Sequence, residues 1–262
     1  MLLVADNLQI TNQIIEKAVK ELNPKPIQDM VKKCEAAGAD AIDINSGPLS
    51  RDPEKKMAFM VESVQEVTTL PVLLDTTNPK ALKAGLEVSK NKTIINGFSL
   101  EPAKLEFILP LAEKYDVDII GYLLYPNSHV PHDESERLNI AVELYGEFQK
   151  AGIDNERLII DPVVAPVMWE NGNLQDMEIL SVIRNLPDLL GFPVKTIAGI
   201  SNLTTGSGPK DKKLLLERTY VPMLASAGLS MALMNIFHLD TVQVIRACNS
   251  LQSRHIFTWE EV

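Results

Sequence analysis

The chain has 262 residues, of which 45% are hydrophobic, and a formal net charge of −10. An acidic balance of this size speaks against nucleic acid and anionic membrane as partners, since both are bound through clustered Lys and Arg. There is no run of 18 apolar residues, so no membrane span is expected. The only cysteines, Cys34 and Cys248, lie far apart with no CxxC and read as reduced packing residues of a cytoplasmic protein.

The first segment, MLLVADNLQI, has neither a basic stretch nor a small-residue cleavage site. It reads as a strand over 2–5 ending in Asp6-Asn7, not as a secretion signal. Helices are expected at 12–21 and 26–37, where Pro24 and Pro26 suit a first helical turn and Gly38 suits a helix end. A strand at 41–45 carries Asp43 and ends in Asn45, and a helix at 53–68 opens on Pro53. The strand 71–75 ends in Asp75, with Asn78 just beyond and a helix at 79–89. The strand 93–96 ends in Asn96, before Gly97 and a helix at 101–115. A strand at 117–124 precedes the helix 133–151, whose Leu138, Val142, Tyr145 and Phe148 recur at helical spacing. The strand 157–161 ends in Asp161, before Pro162 and a helix at 174–186. The strand 195–200 ends in Ser201-Asn202, before a helix at 211–227. The last strand, 229–234, ends in Asn235 and is followed by a helix at 240–250.

Eight strand–helix units in order predict the α/β class: one (β/α)8 barrel of the TIM type, a single domain over 1–262. Such barrels typically take about 250 residues. An open doubly wound sheet would want G-x-G-x-x-G after the first strand, where this chain has Asp6-Asn7-Leu8-Gln9, and no Walker A sequence occurs.

In barrels the strand C-termini converge on one face, and active sites form there. Here Asp or Asn stands at nearly every one. Asp75, Asn96, Asp161, Ser201 and Asn202 are the candidate site residues. Asp43 faces either the barrel interior or the loops. Each has a plainer reading too. Asp75 suits a helix cap, Asn96 a turn before Gly97, Asp161 a turn before Pro162, and Asn202 a loop cap; Asp43 suits loop support. A carboxylate accepts two N–H bonds, and an amide both donates and accepts. A pocket so lined suits a neutral heterocycle rich in N–H donors better than a phosphate or an acid. The polar segment 204–210 reads as a mobile lid in preference to a phosphate loop. His129 and His132 sit between Pro126 and Pro131 without the helical HExxH spacing, so they read as a solvated loop and no metal site is expected. Loops 47–52, 125–133 and 163–173 are candidate docking surfaces. Within the last, Met168-Trp169 reads as local packing more readily than as a partner contact.

The segments Gly38–Pro48 (GADAIDINSGP), Leu74–Asn78 (LDTTN), Ile94–Asn96, Ile160–Pro162 and Gly199–Asn202 (GISN) resemble, in this order, the pterin-binding barrel superfamily. In spacing they look most like methyltetrahydrofolate:corrinoid protein methyltransferases, and the likeness spans essentially the whole chain. The resemblance implies methyl transfer between N5 of tetrahydrofolate and the cobalt of a corrinoid, with the direction open. The folate would be the substrate, as tetrahydrofolate or 5-methyltetrahydrofolate. The cobalamin would be carried by a partner corrinoid protein, and the transfer would be a direct displacement. Asp75, Asn96 and Asp161 would hold the pterin ring, with Asp43 beside them, and Ser201 would contribute through its loop. Asn202 would hydrogen-bond near N5 and, with Asp161, act in catalysis. A homodimer is implied as well. Dihydropteroate synthases share the pterin pocket but look for a lysine after strand 7 and Arg-x-His near strand 8. Here those places hold Asn202 and Met234-Asn235-Ile236-Phe237-His238. A silent folate-binding protein is a further alternative. The first strand ends in Asp6-Asn7-Leu8 where relatives often have Glu-Arg, so that loop is assigned no role.

Overall fold

In the computed structural model, which describes residues 1–253 and 258–259, eight parallel strands pair in sequence order and close on themselves. The strands are β1 (Leu2–Gln9), β2 (Ala41–Asn45), β3 (Val72–Asp75), β4 (Thr93–Phe98), β5 (Asp118–Tyr122), β6 (Leu158–Asp161), β7 (Lys195–Gly199) and β8 (Met231–Met234). The helices are α1 (Gln13–Glu21), α2 (Pro24–Ala36), α3 (Pro53–Gln65), α4 (Pro79–Val88), α5 (Pro102–Tyr115), α6 (Glu134–Lys150), α7 (Gly172–Leu190), α8 (Lys210–Ala227) and α9 (Leu239–Gln252). The single-domain (β/α)8 barrel expected from the alternation is the fold observed.

Two apolar layers form. A large core lies between strands and helices, while a smaller set fills the barrel axis with one residue from each strand, including Val4, Leu73, Ile94, Ile120, Ile159 and Ile197. Side chains along a strand alternate faces, so two residues further on the chain again points inward. From these six positions that step leads to Asp6, Asp75, Asn96, Tyr122, Asp161 and Gly199; from Ala41 of β2 it leads to Asp43. The polar layer at the mouth is thus stacked directly on the apolar plug.

Several boundaries differ from the sequence reading. β1 runs on to Gln9, because three steps on β1 (Ala5 to Leu8) face two on β2 (Ile42 to Ile44). The resulting bulge keeps Asp6 and Asn7 within the strand. β4 likewise continues to Phe98, with a second irregularity at Gly97. A Cβ at Gly97 would sit 2.3 Å from the Ile120 carbonyl oxygen, so only glycine permits this close approach of backbones. α7 passes the expected stop at 186: Pro187 is accommodated inside it, and the helix ends at Gly191 with φ +78°. β6 and β7 share two register pairs, Ile159 with Lys195 and Ile160 with Thr196, fewer than any other neighbouring strands.

Candidate active site

Strand register brings Asn45, Asp75 and Asn96 side by side on three neighbouring strands. Asn45 donates Nδ2 to Asp75 Oδ2 at 2.5 Å. The Tyr122 hydroxyl donates to Asn96 Oδ1 at 2.5 Å, and Asn96 Nδ2 donates to Asp43 Oδ1 at 3.1 Å. Both ends of the Asn96 amide are therefore fixed, leaving it one further N–H and one further lone pair. Asn96 is a strand residue, 6% exposed, and not the turn residue before Gly97 that the sequence also allowed. Asp75 does not cap α4; Asn78 does, accepting from the N–H groups of Lys80 and Ala81. Asp43 is 1% exposed and, by accepting from Asn96 Nδ2, orients that amide.

Burial raises the acid strength thresholds of this cluster, because a low-dielectric setting disfavours the charged form. It pushes the Asp75 carboxyl up to about 6 and the Asp161 carboxyl up to about 7; for Asp161 the Val163 N–H partly opposes the shift. Asp43 is driven well above the usual carboxylate range, first by burial and then by Asp75. The Tyr122 hydroxyl is raised by burial and by the negative fields of Asp75, Asp161 and Asp43, so all three carboxylates bear on one point.

Asp161 is 9% exposed and pairs in register with Tyr122. Its Oδ1 accepts from Val163 N–H at 2.8 Å, so the expected turn before Pro162 does form. It occupies one oxygen, and Oδ2 accepts no hydrogen bond among the described residues. The loop beyond is held from outside the barrel. Arg137 of α6, fully buried, donates Nε to the Pro162 carbonyl at 3.1 Å. Asp176 of α7 accepts from Ala165 N–H at 2.9 Å.

Ser201 and Asn202 occupy the opposite arc of the mouth, on a 3-10 turn spanning Ile200–Thr204 after β7. Ser201 Oγ donates to Asp6 Oδ2 at 3.2 Å. At the other end Thr204 Oγ1 donates to Glu217 of α8, which also lies 3.4 Å from His238 Nδ1. The turn is thus pinned on both sides while Asn202 between them is exposed. Its side-chain amide makes no hydrogen bond among the described residues. No side-chain hydrogen bond among them joins this arc to Asp75, Asn96 or Asp161, though Val167 N–H of the loop after β6 donates to the Leu203 carbonyl of the turn at 2.9 Å. The segment 205–209 beyond is exposed throughout.

Four contributing residues escaped the sequence reading: Asp6, Tyr122, Arg137 and Glu217. Asp6 and Tyr122 had a usable signal, the two-residue step from the apolar plug. The other two act from helices outside the barrel, 25 residues before Pro162 and 13 after Thr204. Met168 and Trp169 correct the reading of local packing. Their loop closes through backbone bonds, Trp169 N–H to the Pro166 carbonyl and Gly172 N–H to the Trp169 carbonyl. Both side chains are left exposed.

Residues 10–235 match the family described as pterin binding enzyme. Among curated proteins, the methylcorrinoid:tetrahydrofolate methyltransferase of Eubacterium limosum is 24% identical over 255 residues, covering 96% of this chain and 91% of that one. The methionine synthase of Mycobacterium tuberculosis is 22% identical over 219 residues. The match takes in 79% of this chain but 18% of that protein. Among solved structures, dihydropteroate synthase from Stenotrophomonas maltophilia aligns with a TM-score of 0.70 at 17% identity, over 97% of this chain and 94% of that one. The Xanthomonas albilineans dihydropteroate synthase in complex with 7,8-dihydropteroate aligns with a TM-score of 0.66 at 19% identity over the same shares. At these identities the structural likeness speaks to the fold.

Proposed function

Because the chain belongs to the pterin-binding enzyme family, we propose that it is a methyltransferase moving a methyl group between N5 of tetrahydrofolate and the cobalt of a corrinoid protein. The observation that carries the reading is the free, exposed Asn202 amide on a turn pinned at both ends, across the mouth from buried hydrogen-bond acceptors. Asp75, Asn96 and Asp161 meet the N–H-rich edge of the pterin. Asp161 keeps one oxygen for it, and Asn96 an N–H and a lone pair. Asp43 acts through Asn96. Asn202 meets N5, where charge changes as the methyl leaves or arrives. A hydrogen bond that strengthens there lowers the barrier, because it is stronger in the transition state than in the ground state.

The donor set fits a folate and needs no covalent intermediate. The cobalt on the partner protein supplies the other end of a direct displacement. The methylcorrinoid:tetrahydrofolate methyltransferase relative, matched over nearly its whole length, supports this reading. Dihydropteroate synthase chemistry is less favoured, since Asn202 stands where those enzymes look for lysine. The test is methyl transfer between methyltetrahydrofolate and free cob(I)alamin, followed in both directions by cobalamin absorbance. Transfer that falls in Asn202→Ala supports the proposal. Tight pterin binding with no transfer to or from free or protein-bound corrinoid would make the protein a silent folate binder. Condensation of a pterin pyrophosphate with para-aminobenzoate would make it a synthase.

A further inference from the structure

The loop after β6, residues 162–166, has no regular secondary structure, yet it is buried except at half-buried Val163. Backbone polar groups taken out of water in such a loop need partners. Two charged side chains from outside the barrel supply them. Arg137 of α6 donates Nε to the Pro162 carbonyl, and Asp176 of α7 accepts from Ala165 N–H through Oδ1. A third helix joins the set, where the Tyr220 hydroxyl of α8 donates to the Asp176 backbone carbonyl at 2.6 Å.

The arrangement is costly for stability alone. Arg137 Nη1 and Nη2 and Asp176 Oδ2 are buried and make no hydrogen bond among the described residues. Apolar side chains of similar volume would commonly be as stable as such a buried pair. Strain runs on into the loop itself. Val163 has φ +64°, a left-handed conformation that a β-branched residue rarely adopts. It turns the Val163 N–H back onto Asp161 Oδ1 at 2.8 Å and so leaves Oδ2 for a ligand. Strain of this kind persists only where the surroundings impose it. Here the surroundings are the two contacts flanking Val163, at Pro162 and at Ala165. Four residues beyond Val163, the Val167 N–H donates to the Leu203 carbonyl at 2.9 Å, next to Asn202. One loop therefore carries the Asp161 carboxyl at its start and a hold on the Asn202 turn at its end.

We infer that Arg137 and Asp176 are positioning residues of the active site. By clamping the loop on both sides of Val163, they hold the Asp161 carboxyl toward the ligand and fix its span from Asn202. Both act through the loop and not on the substrate. The inference rests on the pterin reading and adds to it the groups that set the geometry of the site. Glutamine is a sharp probe of the clamp. Its amide nitrogen is bonded to Cδ, as the arginine Nε is, so Arg137→Gln keeps a donor for Pro162 without the charge.

The test is calorimetric binding of tetrahydrofolate, together with the kinetics of methyl transfer from methyltetrahydrofolate to free cob(I)alamin. Both are run at a temperature where circular dichroism shows every variant folded. Arg137→Met should weaken tetrahydrofolate binding by about tenfold, the scale of one ligand hydrogen bond to a charged group, and should lower kcat as well. Arg137→Gln should restore most of the affinity although it lacks the charge. Adding Val163→Gly to Arg137→Met should also recover affinity, because glycine holds the left-handed turn unaided; it should not recover stability. If Arg137→Met does not fold, Arg137→Met/Asp176→Asn, which leaves neither charge buried, takes its place in each comparison. Native affinity in Arg137→Met, or a failure of either rescue, would overturn the positioning role and leave the pterin pocket standing. If the native protein itself does not bind tetrahydrofolate, the pterin reading is wrong and the positioning role falls with it.

Discussion

The Tyr122 hydroxyl holds Asn96 Oδ1 at 2.5 Å and so fixes which way the amide faces. With Oδ1 committed, Nδ2 must point to Asp43. Tyr122→Phe removes the donor and leaves a buried acceptor unpaired, which costs about 1–3 kcal/mol. Chemical denaturation should report a loss in that range. Pterin affinity should fall with it, because the amide is then free to flip. Unchanged affinity would mean that Asp43 alone orients Asn96.

Asn202→Ala should behave in the opposite way. The side chain is exposed and makes no hydrogen bond among the described residues, so the melting temperature should not move. The methyl-transfer rate should drop by about 10²–10³, the range for losing one donor to developing charge. A parallel collapse of pterin binding would reassign Asn202 to ground-state recognition.

The turn that presents Asn202 leans on Asp6 through Ser201 and on Glu217 through Thr204. Ser201→Ala should lower kcat several-fold with little change in folate KM, since the amide is mispositioned and not removed. Asp6→Asn should reproduce most of this effect. If KM rose instead and kcat held, Ser201 would be contacting the substrate.

Binding should depend on pH with a definite sign. Asp75 and Asp161 have carboxyls raised to about 6 and about 7. In the empty protein they favour the protonated form, so folding stability declines as pH rises from the unfolded value near 4 through 7. A ligand offering N–H donors needs the ionised form. Pterin affinity should therefore climb from pH 5 to 7.5 and then level off, with protons released on binding near pH 6.5. Calorimetry in buffers of different ionisation heat measures that release. Proton uptake would show that the ligand is recognised by protonated carboxyls.

Arg137→Met should destabilise the protein by about 3 kcal/mol, because it strands a charge partner in the interior. The guanidinium is fully buried, holds the Pro162 carbonyl and is the compensating charge for Asp176, whose carboxyl burial already raises to about 7. Adding Asp176→Asn should recover part of the loss, as read from urea midpoints. A double variant no better than the single would show that the two residues act independently.

The barrel and most of the mouth were legible because alternation of strand and helix is local, and because Asp and Asn mark strand ends where apolar runs stop. Asp75, Asn96 and Asp161 followed from that pattern. The bulges in β1 and β4 did not, since register is a relation between strands that neither strand's sequence states. Tyr122 was hidden by placing the end of its strand at 124; the observed end at 122 puts it in the polar layer. The Ser201–Asp6 tether spans 195 residues, and only closure of the barrel brings the two together.

The short ladder between β6 and β7 has a consequence for how the barrel breathes. With two register pairs, this seam has the shortest ladder in the barrel, and it separates the strand bearing Asp161 from the turn bearing Asn202; above the strands a single backbone bond among the described residues, Val167 N–H to the Leu203 carbonyl, ties the two sides. Amide protons of β7 above Thr196 should exchange ahead of those of β2 to β4, through openings that cost less than global unfolding. A transient parting along this line would change the span between the two arcs of the mouth while leaving each arc internally intact. The fit of a flat ring held between the two arcs would then be set by the seam with the shortest ladder in the barrel.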